Sequence, residues 1–230
     1  MKTLGVIPAR GGSKELPRKN LRLIAGRPLL AYTADAVRGS SRLTRTIVST
    51  DDPEIAAAAR ELGLEVPFMR PAALAADDTL MLPVLQHALR AMTDGGFAAD
   101  AVVLLQPTSP LRRGLHIDAA LDLLESSGAD SVVSVVEVPH QFNPASVMRL
   151  DGDRLAPFLP GPQALRRQDK PRVFARNGPA VAAVRRRVLE SGSLYGDDTR
   201  ALLMKPEESI DIDSAADLDY LEFLLARSQR

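Results

Sequence analysis

Four short apolar runs, Thr3–Ile7, Thr46–Ser49, Ala101–Leu105 and Ser131–Val136, alternate with longer stretches patterned as helices. The helical stretches lie near Pro28–Val37, Pro53–Leu62, Leu80–Met92 and Leu115–Ser126. Continuous runs of Val, Ile and Leu suit strands buried on both faces, which a parallel sheet requires. The alternation therefore predicts an α/β fold, a mostly parallel sheet flanked by helices. Pro28 and Pro53 stand where a first-turn proline is tolerated, and Asp52 is placed to cap the second helix. Near the end, a helix is expected around Arg185–Ser191, a strand around Ala201–Met204, and a last helix over Ala215–Ala226.

One region breaks this rhythm. Between Pro139 and Gly178 the chain holds Pro139, Pro144, Pro157, Pro160, Pro162 and Pro171, with a turn at Asp151-Gly152-Asp153. Such punctuation predicts an irregular excursion with one hairpin, Val147–Leu150 against Arg154–Pro157, instead of another βα unit. At 230 residues the expectation is a single domain over 1–230 with a small projecting excursion over 139–178.

Charge narrows the ligand class. Lys and Arg number 29, and Asp and Glu number 29, so no global field draws the chain to nucleic acid or membrane. The basic residues are nonetheless clustered. Six lie between Met1 and Arg22 against Glu15 alone, and eight between Arg166 and Arg187 against Asp169 alone. Two such clusters in a neutral chain suit a small polyanion, and a solvated face is the simpler account of Arg185–Arg187. Aromatic residues make up only 4%, which leaves little for nucleic-acid bases to stack upon. The absence of cysteine excludes disulfides and thiolate chemistry. No leader is evident and no apolar run nears the ~18 residues of a spanning helix, so a soluble cytoplasmic protein is expected.

In an open α/β sheet, ligands bind beyond the carboxyl ends of the strands. The loop after Ile7, Pro8-Ala9-Arg10-Gly11-Gly12-Ser13-Lys14, joins glycines that admit an anion to backbone N–H groups with cations that neutralise it. It is neither a Walker loop nor G-x-G-x-x-G, and a basic surface loop is the alternative. After Leu105, two prolines stiffen Gln106-Pro107-Thr108-Ser109-Pro110 and fix where Gln106 and Ser109 point. In Ser209-Ile210-Asp211-Ile212-Asp213, a two-residue period sets Asp211 and Asp213 on one side, ~7 Å apart. Two such carboxylates can hold a hard divalent cation together with water and phosphate oxygens. Alternatively, Asp213 or Ser214 caps the last helix with Asp217, which accounts for one acid but not both.

The order of these residues carries more. PARGGSK-x-LPRKNL resembles the opening signature of the acylneuraminate cytidylyltransferase family, the synthetases of CMP-linked nine-carbon acidic sugars. The resemblance continues at Ser49-Thr50-Asp51-Asp52, Arg70-Pro71, Leu104 to Arg112, Asn177-Gly178 and Ser209 to Asp213. It implies a Rossmann-like nucleotidyltransferase sheet, with CTP and an acidic sugar of the sialic, nonulosonic type as substrates. Pyrophosphate would be released, and Mg2+, or Mn2+ in its place, would sit at Asp211 and Asp213. By the same resemblance Arg10, Lys19, Asp211 and Asp213 are catalytic. Ala9, Arg10, Gly11, Ser13, Lys19, Asn20, Arg70, Asp78 and Thr79 are expected to hold the nucleotide. Gln106, Ser109, Arg167, Arg176 and Asn177 are expected to hold the sugar. His140 is either a further sugar contact or a loop histidine without a role. The excursion is expected to form a homodimer, with Arg167 reaching the neighbouring subunit's site.

Two departures bear on the sugar more than on the nucleotide. After Asn177-Gly178 the family continues Ala-Ile-Tyr, whereas this chain has Pro179-Ala180-Val181-Ala182, and the preceding arginine is displaced to Arg176. They leave open another acidic acceptor, either a different 2-keto sugar acid or a phosphonate. A non-catalytic nucleotide-sugar-binding relative is the remaining alternative.

Overall fold

The computed structural model describes residues 1–12, 15–160 and 166–228. The opening apolar run forms β1 (Thr3–Pro8), buried along all but its last residue. A two-residue ribbon, β2 (Leu23–Ile24) and β3 (Arg27–Pro28), leads into α1 (Leu29–Arg38). Then come β4 (Arg45–Ser49), α2 (Pro53–Glu61), α3 (Met81–Asp94), β5 (Ala101–Leu104), α4 (Gly114–Ser127) and β6 (Ser131–Glu137). The second helix begins as its sequence dictates. Asp52 Oδ1 accepts from the backbone N–H groups of Glu54 at 2.7 Å and Ile55 at 3.2 Å, and Pro53 occupies the first turn.

The excursion contains the hairpin β7 (Met148–Asp151) and β8 (Arg154–Pro157), one residue later in its first strand than expected. Met148 pairs with Pro157 and Asp151 with Arg154 around Gly152, whose φ of +61° suits a tight turn. Every residue of both strands is exposed. The chain returns through β9 (Phe174–Arg176), β10 (Ala182–Arg185), α5 (Arg186–Glu190), β11 (Thr199–Leu203) and α6 (Ala215–Ser228).

The main sheet runs in the order β11-β6-β10-β5-β1-β4. Strands β4, β1, β5, β6 and β11 point the same way, so the sheet is mostly parallel, as the alternation predicts. β10 departs from that expectation. It inserts antiparallel between β5 and β6, a strand the sequence reading did not place, because Ala182-Ala183-Val184-Arg185 is short and poor in β-branched residues. β9 pairs antiparallel with the far end of the same β6 edge, so residues 177–181 bulge between two strand segments. Ser209–Asp213 belongs to no strand; its anchor is the Ile212 N–H donating to the Thr108 carbonyl at 2.8 Å.

The two-residue period divides the core. Ile7, Val48, Val103 and Ala183 pack beneath α1, α2 and α4, while Val6, Ile47, Val102 and Val184 pack beneath α3 and α5. A third cluster seats α6, with Ile210 and Ile212 against Leu29, Leu218 and Leu221. Among the described residues no helix is long and apolar enough to cross a membrane.

Candidate active site

Register sets where the site opens. Pro8 pairs with Ser49, and Val6 with Leu104, so β1, β4 and β5 end nearly together and release their loops on one side. A cleft of about 250 Å3 lies there. Its walls include Arg10, Lys19, Asn20, Arg70, Thr79 and Gln106, six of the residues singled out from the sequence. Gly12, Asp77, Met81 and Thr108 also contribute.

The first loop is held by its neighbours. The buried Ala9 donates its N–H to the Ser49 carbonyl, which makes it a structural support of the loop. The Gly11 N–H donates to Asp51 Oδ1 at 3.1 Å, and a Cβ on Gly11 would lie 2.5 Å from Asp52 Oδ2. Only glycine fits beside the helix-capping aspartate. Asn20, nearly buried, donates from Nδ2 to the Arg10 carbonyl at 3.1 Å. Ser13 lies outside the described residues.

Two cations of the cleft, Arg10 and Lys19, and the neighbouring Arg18 are paired, which composition could not show. Arg10 donates to Asp77 Oδ1 at 2.7 Å, Lys19 lies 3.0 Å from Asp213 Oδ1, and Arg18 pairs with Glu54. Asp77, not Asp78, lines the cleft; Asp78 is exposed outside it. Arg70 is 6% exposed and serves the fold as well as the cleft. Its guanidinium donates to Ser49 Oγ at 3.1 Å, to the Ser49 carbonyl, and weakly to the Leu74 carbonyl at 3.4 Å. Burial pushes its pKa down, only partly offset by nearby Asp51.

Asp211 and Asp213 stand differently. Asp213 is largely exposed and faces Lys19, whereas burial, opposed by a hydrogen bond from Thr108 and reinforced by the Asp213 charge, raises the pKa of Asp211. Asp211 Oδ1 is buried and has no hydrogen-bond partner among the described residues. The capping alternative resolves onto other atoms. Asp217 Oδ2 accepts from the N–H of Asp213 at 3.1 Å and from the N–H and hydroxyl of Ser214 at 2.7 and 2.8 Å. The helix start is therefore satisfied without the Asp213 carboxylate. An orphaned carboxylate oxygen beside a second carboxylate fits Mg2+, which commonly takes one or two carboxylates and completes its shell with water and phosphate. Among the described residues no group of three or more acidic or histidine ligands could hold a metal unaided.

The sugar-side residues are not gathered in one place. Gln106 is on the cleft wall, and Ser109 lies buried behind it, its hydroxyl unpartnered among the described residues. A Cβ on Gly178 would lie 3.1 Å from Ser109 Oγ and 3.2 Å from Asp211 Oδ2, so those two groups meet across the glycine. Asn177 is buried and already occupied. It accepts from Ser134 Oγ at 2.6 Å and donates to Ser209 Oγ at 2.9 Å, which makes it a tie between β6 and the aspartate segment. His140 and Arg167 line a separate groove of about 610 Å3 with Gln168, Lys170 and Arg172. Arg176 lies elsewhere, stacked 5.0 Å from the centre of the Tyr195 ring and donating to its hydroxyl.

The family pattern described as Cytidylyltransferase matches residues 4–159, well over half of the chain. The chain belongs to the cytidylyltransferase family. It is thereby a nucleotidyltransferase, and the cleft at the ends of β1, β4 and β5 is this cytidylyltransferase's candidate nucleotide site. It is 36% identical over its whole length to the CMP-N,N'-diacetyllegionaminic acid synthase of Legionella pneumophila, covering 98% of that protein. It is 32% identical over 95% of its length to the N-acylneuraminate cytidylyltransferase of Escherichia coli, of which it spans only 51%. A solved CMP:2-keto-3-deoxy-manno-octonic acid synthetase complexed with CTP shares the fold, with a TM-score of 0.74 at 20% identity and coverage of 99% and 100% of the two chains.

Sequence reasoning passed over two residues of this site. Thr108 lies inside a loop from which only Gln106 and Ser109 were singled out. Arg112 was quoted at the end of that motif without a role, yet it is 2% exposed and bound to the loop. An arginine two residues past a double-proline loop was the available signal.

Proposed function

We propose that the protein transfers CMP from CTP to the anomeric hydroxyl of a sialic-acid-like nonulosonic acid, releasing pyrophosphate. The observation that carries this reading is the meeting of Arg10, Lys19, Asn20 and Gln106 in one cleft beside Asp211 and Asp213. The full-length likeness to a CMP-diacetyllegionaminic acid synthase supports the acceptor class.

The sugar hydroxyl attacks the α-phosphorus in line, and the bond to pyrophosphate breaks as the new one forms. The chain's part is orientation and charge. Arg10 and Lys19 turn from Asp77 and Asp213 to the triphosphate and absorb the charge that grows on the leaving group. Gln106 and the stiffened loop behind it place the acceptor. Asp211 and Asp213 would hold Mg2+, with Mn2+ able to replace it. Such an ion, when bound, neutralises phosphate charge and favours the ionised hydroxyl. The groove of His140, Arg167 and Lys170 supplies fixed positive charge suited to a sugar carboxylate. The exposed apolar residues of the excursion, Leu150, Leu155 and Phe158 among them, support a homodimer through that segment. Such a dimer would carry the groove to a neighbouring cleft.

The test is pyrophosphate release across CTP, UTP, ATP and GTP, each with sialic, legionaminic and eight-carbon 2-keto sugar acids and with a phosphonate. Release with CTP and a nine-carbon acid is expected. Preference for the eight-carbon acid or a phosphonate would move the acceptor. CTP binding without release under any pairing would make the chain a binding relative.

A further inference from the structure

Arg112 is buried to 2% exposure, and no ion pair to a carboxylate is found for it among the described residues. One terminal nitrogen donates to two carbonyls at once, Gln106 at 2.9 Å and Ala180 at 2.9 Å. The other donates to Thr33 Oγ1 of α1 at 2.7 Å, while Nε is buried without a partner among the described residues. Burial lowers its pKa to about 9, which still leaves it a cation at neutral pH. A buried charge without a counter-charge is costly, and a fold gains little from one that an apolar residue could replace. Its partners indicate what it does. Gln106 begins the loop whose Gln106 and Thr108 line the cleft; Ala180 follows Gly178, which packs against Ser109 and Asp211. The loop and the aspartate segment are joined independently by the Ile212 N–H on the Thr108 carbonyl.

We propose that Arg112 is a positioning residue that clips the Gln106–Pro110 loop to the 177–180 bulge and to α1. It thereby fixes the acceptor wall of the cleft against Asp211. This rests on the functional reading above. It adds that acceptor geometry is set by a residue that touches neither substrate. The charge matters because one guanidinium fork serves three acceptors in two loops and a helix, which the single ammonium of lysine cannot span.

The test compares wild type with Arg112→Met and Arg112→Lys. Three readouts are taken: amide hydrogen exchange over residues 105–112, CTP affinity by calorimetry without sugar, and kcat with sugar per folded molecule. Arg112→Met should speed exchange in that loop at least tenfold and lower kcat at least tenfold. CTP affinity should stay within threefold of wild type. Arg112→Lys should fall between, and it carries the test if Arg112→Met does not fold. Unchanged loop exchange, or wild-type kcat in the lysine variant, would overturn the proposal. So would losses in CTP affinity that match those in kcat. If wild-type protein released no pyrophosphate with any substrate pair, the functional reading would fail, whereas the exchange comparison would still judge the clip.

Discussion

Lys19 Nζ lies 3.0 Å from Asp213 Oδ1 and 2.8 Å from the Ile212 carbonyl, so the cation proposed for the phosphates and a carboxylate proposed for the metal neutralise each other. Triphosphate and divalent cation would each claim one member of this pair. Removing a unit cation about 4 Å away changes the energy of a charge by about 1 to 4 kcal/mol between water-like and surface-like dielectrics. Lys19→Met should therefore bind Mn2+ alone several-fold more tightly than wild type in a titration without nucleotide, while kcat falls about 10²–10³-fold. Weaker or equal Mn2+ binding in that variant counts against the pairing.

Capping and metal binding fall on different residues and should separate by mutation. Asp217→Asn or Ser214→Ala should lower stability by about 1 kcal/mol, read as Tm, and leave the Mg2+ dependence of turnover unchanged. Asp211→Asn and Asp213→Asn should each raise the Mg2+ concentration needed for half-maximal pyrophosphate release, and chelator should abolish release from wild type. An Asp213→Asn protein altered in Tm alone would return Asp213 to the helix end.

Asn177 was expected to contact sugar, but its side chain joins Ser134 to Ser209 inside the protein. Asn177→Ala takes the acceptor from the buried Ser134 hydroxyl, while Ser209 Oγ keeps the Lys205 carbonyl, and should cost about 1–3 kcal/mol. Urea unfolding measures this. Loss of sugar affinity at unchanged stability would restore the contact role.

Acid should unfold the protein partly through Asp118. Burial by itself would raise its pKa, but hydrogen bonds from Ser40, Ser41 and the Arg42 N–H outweigh it and hold the carboxyl below its ordinary 3.8. A depressed pKa gives stability that is fully present above the ordinary value and is lost as pH falls through the folded one. Asp118→Asn should therefore be less stable than wild type at pH 7, with the gap in Tm closing below about pH 4. A gap that stays constant down to pH 2 would show that the carboxylate charge is not what Ser40 and Ser41 hold.

Leu150 and Leu155 face each other across the excursion hairpin, 70% and 66% exposed. Leu150→Asp with Leu155→Asp should give a monomer by light scattering, folded but inactive. A mixture of Arg167→Ala and Lys19→Ala chains should recover about half the activity of wild type in its mixed dimers, because one of the two sites is then intact. A fully active monomer would end both expectations.

The parallel strands and main helices were legible because their signals are local. Val and Ile runs bounded by Gly, Pro and Asp describe β1, β4, β5 and β6 within a residue or so. β10 was not legible, since two alanines carry no strand signal and its place depends on two distant partners. The cleft residues were legible from motif order and from the rule that ligands lie beyond strand ends. Their pairing was not. Nothing adjacent in sequence joins Lys19 to Asp213, or Arg112 to Ala180 and Thr33; only the folded chain brings them together.

The position of β10 also orders events during synthesis. Residues 182–185 fill the gap between β5 and β6, yet the chain must pass through the entire excursion after Glu137 before they emerge. At ~5–20 residues per second, the facing edges of β5 and β6 stay open for a time on the order of seconds. Open apolar edges are templates for pairing with other chains. The length of the excursion therefore acts as a delay line on the nascent chain, and shortening it should let the sheet zip shut sooner on the ribosome.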